Sequence, residues 1–477
     1  MRQTLPVPSR IRSARFETKL LVIVVAALAW RVAYVLVTKR HAALWGDAFG
    51  YHYGANLLAE GKGFIDPLRY EFAGLRFPSA YHPPLYFVYL AGWSLIGLKS
   101  ALWHRLVSCL LGAATVGLIG YLGRRLAGDR AGLIAALLAA AYPHLWLNDA
   151  ALLSETAAAF AVVLTMLAVE RFREQPSSAR AAELGVALAL AVLGRAELLI
   201  LVPALALPLV LGAPSIPMRQ RWERLGVVAV ASLVLIAPWV GYNMTRFEKP
   251  VYLSNGLGAT LLGGSCDAAF HGSLIGYWTY CPGSTTQIAR IPPPPASTLA
   301  RWDANKNSPQ TRAEKKAYFR RYFEGAPDES ENDATARHEA VDYIRAHKGQ
   351  YVVVVAARVG RIWNVFRPWQ DATLDGVVEG RGLVQTRVAL FFFYAYTAAA
   401  IVGLVALRGR RHPIWPYLVL AAVVTFTAAI TFGIQRYRIP VDAVLPALAA
   451  VGIEWLLTRR GAPRTAVSSP SAPPSTT

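Results

Sequence analysis

The sequence predicts an all-α polytopic membrane protein, a transmembrane bundle of about ten spans with juxtamembrane helices and a small extracytoplasmic α or α/β insertion. Three observations predict it. The 477 residues are 55% hydrophobic and only 16% charged, and the mean hydropathy is +0.35, which is wrong for a chain solvated by water. The apolar residues fall in runs of about 20, the length that crosses a bilayer. Lys and Arg gather in clusters between those runs, so the net charge of +20 suits an anionic membrane surface. No base-reading module accompanies that charge, and nucleic acid is excluded as a partner.

Residues 1–19 are basic and too polar for a signal-peptide core, so they read as a cytoplasmic N-terminal segment before a retained first span. The predicted spans are 20–38, 103–123, 131–147, 151–170, two short spans within 181–212 broken at Arg195, then 225–241, 386–407, 413–432 and 439–457. Basic clusters around Arg15, Arg124, Arg171, Arg221, Arg410 and Arg459 all fall on one side when the N-terminus is cytoplasmic, as retention of positive charge inside requires. Counting residues 84–98 as a crossing would invert every later cluster. They therefore read as a juxtamembrane or re-entrant helix on the outer surface.

This parity divides the chain into a transmembrane module at 20–241 containing an outer loop at 39–102, an extracytoplasmic region at 242–385, and C-terminal spans at 386–460. The Ser-, Pro- and Ala-rich tail at 461–477 reads as disordered and cytoplasmic. The expected location is the inner (plasma) membrane. Residues 349–366 are apolar with Arg358 and Arg361 three apart, which suits an interfacial helix. Cys266 and Cys281 share a polar loop of the outer region. A bridge there would close about 15 residues and contribute about 3 kcal/mol by loop entropy; two thiols are the alternative. Cys109 reads as a small packed hydrophobe.

The chemistry-bearing residues cluster on the outer side. Asp47 follows the first span, with Tyr51 one turn on. A carboxylate there can accept a proton from a hydroxyl, or it can simply begin a helix. Tyr81 and His82 precede Pro83 and Pro84, which fix the chain at the surface. His82 can meet a lipid phosphate, or be a histidine at a helix start. Glu155, Arg195 and Glu197 interrupt apolar runs, and ionisable groups in a span mark a functional site unless they are a structural pair. Arg31 in the first span suits the structural role. Arg436 and Arg438 open the last span from the outside, against the usual charge bias, so they call for an anion. A polyprenyl phosphate fits the guanidinium fork, and ordinary headgroup binding is the other reading.

In order, the segments GDAFGYHYGANLLAEGKGF, YHPPLY, RLAGDRAGLIAALLAAAYP with SET, GRAELLILVP, PWVGYNMTRFEKPVYLSNGLGATLLGGS and RYRIP resemble the GT-C superfamily of membrane glycosyltransferases. The nearest branch is that of the protein O-mannosyltransferases and lipid A aminoarabinose transferases. The resemblance implies a polyprenyl-phosphate-linked sugar as donor and an acceptor hydroxyl, with inversion in one displacement. It places Asp47 as catalytic base, Glu155 as the second acid near the donor, Arg195 as the basic residue facing those acids, and His82 on the lipid phosphate. Tyr51, Tyr81 and Glu197 stand as supporting residues, and Arg436 and Arg438 as further phosphate contacts. Two departures matter. Ala48 follows Asp47 where relatives carry a second acid, and Tyr81 stands where relatives carry an acid, so a divalent metal is possible but not indicated. A secondary transporter or lipid flippase is the competing class. Neither matching halves nor paired broken spans are visible to support it.

Overall fold

The computed structural model describes residues 9–281, 292–306 and 308–460. The segment before residue 9 and the predicted disordered tail lie outside them. Every element among the described residues is helical, and the only strand-like contact is an isolated bridge between Ile65 and Pro78.

The chain opens with α1 (Ser9–Tyr34), which relaxes into a π turn at Val35–Lys39. The segment after it carries α2 (Gly46–Ala59), α3 (Pro67–Ala73) and α4 (Leu85–Leu95). At 11 residues, α4 is about 17 Å long and too short to span. Next come α5 (Ala101–Ala127), begun by the Ser100 side chain accepting from the Trp103 amide, and α6 (Asp129–Ala141). Pro143 cannot donate to the preceding turn, so α7 (Pro143–Ala151) leaves α6 at a bend of 48°. Leu152, at φ 62°, stops α7, and α8 (Glu155–Glu174) begins. Then α9 (Ser178–Gly194) ends where Arg195 turns extended; a 3₁₀ turn at Ala196–Ile200 leads into α10 (Leu201–Leu211), and α11 (Met218–Met244) follows.

The region between α11 and the next long helix is built of short helices: α12 (Leu257–Gly263), α13 (Asp267–Phe270), α14 (Ala296–Ala304), α15 (Pro309–Phe323), α16 (Glu329–Ala346), α17 (Lys348–Ile362) and α18 (Pro368–Val378). A disulfide joins Cys266 to Cys281. The bundle resumes with α19 (Leu383–Gly409) and α20 (Trp415–Ile430). A 3₁₀ turn at Gln435–Arg438 then leads through α21 (Ile439–Asp442) to α22 (Leu445–Arg460).

Each predicted apolar run is a helix or a broken pair of helices, but length and composition qualify fewer than ten as spans. Four helices are long and apolar enough to cross a membrane, and six if each bent pair counts once. Of the others, α9 ends where Arg195 breaks the run, α8 carries Glu170, Arg171 and Arg173 within its length, and α20 is apolar but only 16 residues long.

One apolar core runs through α5, α6, α8, α9, α19 and α22. Helices α19 and α22 lie against each other through glycines. A β-carbon on Gly403 would come within 2.0 Å of the Leu448 carbonyl, and one on Gly452 within 2.1 Å of the Ala399 carbonyl, so no larger residue permits that approach. Ion pairs collect one set of helix ends: Glu17 with Arg124, Arg125 with Glu174, Arg130 with Glu454, and His412 with Glu170. The C-terminal ends of α1 and α9 and the N-terminal ends of α2 and α8 form the opposite pole.

Helix α17 corrects an expectation. Arg358 and Arg361 do not project toward headgroups but are fully buried. Arg358 donates to the carbonyls of Gly264 and Ala429, while Arg361 donates to Ile275 and Ser273 and pairs with Asp371. A guanidinium has five donors in a fixed fork, and here they fasten loops that lack a regular ladder.

Candidate active site

Four irregular pieces of backbone meet at that pole, and each brings a charged side chain. Trp45 is extended and Gly46 takes φ +50°, so Asp47 stands in the first turn of α2, where a negative charge suits the helix dipole. The left-handed turn at Leu152 puts Glu155 at the start of α8. The end of α9 leaves Arg195 extended, and the 3₁₀ turn before Pro440 carries Arg436.

Arg436 is the centre of the cluster. Its Nε donates to Glu155 Oε1 at 2.6 Å, its Nη1 to Glu379 Oε2 at 2.7 Å, and its Nη2 to Asp47 Oδ2 at 2.5 Å. Arg195 completes a second layer, donating from Nη1 to Glu155 at 2.7 Å and from Nε to Glu197 at 2.5 Å. Its guanidinium lies 4.3 Å from the centre of the Tyr437 ring. His82 Nε2 is 3.3 Å from Asp47 Oδ1. Tyr51 stacks on His82 at 4.8 Å and Tyr81 meets the same ring edge-on.

These groups border a cavity of about 1050 Å³ whose walls come from the outer loop, the α9–α10 break, the region after α11 and the 435–437 turn. Its lining is mixed: apolar residues such as Trp45, Leu199, Ile200 and Ile430, and polar ones such as Asn255, Thr260 and Arg337. Glu155 is fully buried behind Arg436, and its Oε2 has no hydrogen-bond partner.

The electrostatics separate the two carboxylates that share Arg436 at the cavity. Burial drives the Asp47 carboxyl upward, but Arg436 and His82 outweigh it and hold the group well below the usual carboxylate range. At Glu379 burial dominates, and with Asp47 nearby its pKa is raised despite Arg436. Asp47 is thus ionised, and Glu379 is the group less able to keep its charge.

The structure therefore brings together Asp47, Glu155, Arg195, Glu197, His82, Tyr51, Tyr81 and Arg436. Arg438 departs from the expected phosphate contact. It is fully buried, donates to Asp442 at 3.1 Å and to the Ile362 carbonyl at 2.8 Å, and lies 3.6 Å from the centre of the Phe393 ring. A phosphate at the cavity cannot reach it. Arg31 is the buried partner of Asp149 at 2.9 Å. Sequence reasoning missed Glu379, whose only signal is an acid in the Gly-rich VVEGRG before α19. It also passed over Tyr437 inside the RYRIP segment. Among the described residues no group of three or more His, Cys, Asp or Glu side chains is arranged to hold a metal ion.

Residues 81–242 match the model of a family described as dolichyl-phosphate-mannose-protein mannosyltransferase. The apo oligosaccharyltransferase of Archaeoglobus fulgidus superposes with a TM-score of 0.51 at 14% identity, over 93% of this chain and 51% of that one. The same archaeal protein with an inhibitory peptide and a dolichol-phosphate gives a TM-score of 0.47 at 14% identity, over 92% and 50%. ArnT from Cupriavidus metallidurans bound to undecaprenyl phosphate gives 0.37 at 16% identity, over 94% and 78%. The chain spans about half the length of the archaeal structures it matches, and at this identity the likeness is one of fold. No curated protein matches the chain.

Proposed function

We propose that the chain, similar over residues 81–242 to the dolichyl-phosphate-mannose-protein mannosyltransferase family and in fold to an oligosaccharyltransferase, is a GT-C membrane glycosyltransferase that moves a sugar from a polyprenyl-phosphate donor to an acceptor hydroxyl at the extracytoplasmic face. The observation that carries this reading is an ionised carboxylate, Asp47, held by Arg436 and His82 on the wall of a cavity that is part apolar and part polar. The apolar lining residues suit a lipid chain, and the polar ones suit an acceptor arriving from water.

In this mechanism the acceptor O–H donates to Asp47. Its oxygen attacks the anomeric carbon from the face opposite the phosphate, and the bond from that carbon to the phosphate oxygen breaks, with its electron pair leaving on the phosphate. Asp47 takes the proton as the new bond forms. Arg436 and His82 stabilise the departing phosphate, an effect that grows as charge develops. Glu197 holds Arg195, Arg195 holds Glu155, and Glu155 in turn fixes the Arg436 guanidinium. Arg438 has no part in the chemistry.

The test supplies the purified protein with labelled polyprenyl-phosphate sugars and an envelope acceptor extract, wild type beside Asp47→Asn. Transfer by the wild type that disappears in the variant supports the reading. Full-rate transfer by the variant removes Asp47 as base, and donor movement across vesicles without transfer would favour transport.

A further inference from the structure

Every N–H edge of Arg436 that faces a carboxylate is taken: Glu155 holds Nε, Asp47 holds one terminal nitrogen and Glu379 the other. These carboxylates use three of the five N–H donors of the guanidinium, so a donor phosphate that takes one of their places must displace the one held least. Glu155 is fully buried and also bound by Arg195, so its departure would strand a charge. Asp47 is held by His82 as well and is the base of the proposed reaction. Glu379 borders the cavity, its side chain is 14% exposed, and Arg436 is its one ion-pair partner among the described residues.

We propose that Glu379 occupies the donor's phosphate subsite on Arg436, and that the donor's phosphate binds there by displacing the Glu379 carboxylate. The inference rests on the proposed function and names the point at which the donor headgroup engages. The geometry lets the side chain swing while its backbone stays. Arg381, two residues on, is buried and grips Asp375 at 2.8 and 3.0 Å, and the carbonyl of Arg381 accepts from Tyr34 at 3.3 Å. The Gly380 carbonyl accepts from Lys39 Nζ at 2.5 Å. Glu379 thus projects from a pinned turn, at the end of α18, with only its rotamer free to change.

The charges also match. A polyprenyl-phosphate sugar is a phosphodiester with one negative charge, so it replaces a carboxylate on Arg436 without adding charge beside Asp47 and Glu155. After transfer the leaving group is a monoester bearing about 1.5 to 2 negative charges at neutral pH. Once Asp47 has passed the proton it took to water, that extra charge lies beside the ionised Asp47 and Glu155, and the return of Glu379 assists release of the phosphate.

Binding of farnesyl phosphate, a short-chain stand-in for the leaving group that competes with Glu379 for the same guanidinium, to the full-length protein in detergent, with farnesol as the uncharged control, tests the exchange. If Glu379 is seated about nine-tenths of the time, Glu379→Ala tightens farnesyl phosphate about tenfold and leaves farnesol unchanged, which also reports an intact fold. Glu379→Gln, which keeps the shape without the charge, should fall between the two. In an Arg436→Met background the Glu379→Ala gain should vanish. A wild type that binds farnesol as well as farnesyl phosphate would remove the phosphate subsite and the proposed function together. A wild type that prefers the phosphate, with Glu379→Ala unchanged or weaker, would remove the exchange alone.

Discussion

Arg436 and Arg438 leave the same 3₁₀ turn two residues apart, and they live in different worlds. Arg436 reaches three carboxylates drawn from α2, α8 and the end of α18, beside a cavity. Arg438 turns into the bundle, where its ion partner is the sequence-local Asp442, itself accepting from Tyr142 at 2.8 Å. With about three residues per turn, a separation of two places side chains about 240° apart, so one faces the opening and the other the helices. The comparison teaches that a buried charge marks a reactive site when its partners converge from afar on open space. A charge satisfied by its own helix and a carbonyl is scaffolding.

The largest expected effect separates the two regions most sharply. Asp47→Asn should lower transfer by about 100- to 10,000-fold, the range of a lost general base, with little change in thermal unfolding. Arg438→Ala should act the other way and destabilise by about 3 to 5 kcal/mol, because Asp442 is left buried without its cation. Thermal unfolding in detergent measures the loss, Arg438→Ala with Asp442→Ala should recover part of it, and donor binding by the folded fraction should be unchanged. If donor binding falls as well, the two arginines are not functionally distinct.

His82→Ala should cost about 100-fold in transfer, the effect of removing one donor from a developing anion. A rise in donor KM would assign His82 to the phosphate in the ground state, and a fall in kcat alone would assign it to the orientation of Asp47.

The smallest effect lies further out, at Glu329. It accepts from Ser79 Oγ at 2.8 Å, the Ala80 amide at 2.6 Å and Asn255 at 3.2 Å, and so ties α16 to the strand-like segment before His82. Burial, partly opposed by those hydrogen bonds, raises its pKa to about 7. Between the ordinary glutamate pKa of about 4.3 and 7 the folded chain keeps a proton that the unfolded chain has released. Stability should therefore fall as pH rises through that window, and Glu329→Gln should flatten the slope in thermal melts taken across it.

Much of this was legible in the sequence. The residues Asp47, Glu155, Arg195 and Arg436 are visible because each is a charge at the edge of an apolar run, where lipid makes ionisable groups costly. The helices follow from the same runs. What could not be read is direction. Arg358 and Arg361 lie in an apolar helix as an interfacial pair would, yet both turn inward to carbonyls, because the loops around α13 need donors. Glu379 was hidden for the opposite reason: it sits in polar sequence, where an acid is unremarkable, and only tertiary structure carries it to Arg436.

The hub on Arg436 has a consequence for how the chain is made. Asp47 leaves the ribosome 389 residues before the arginine that holds it, and Glu155 precedes the same arginine by 281. During synthesis Glu155 can be met early by Arg195, 40 residues on, but the guanidinium that joins it to Asp47 comes much later. The three-carboxylate hub is therefore closed only once the segment carrying Arg436 has been made, 389 residues after Asp47.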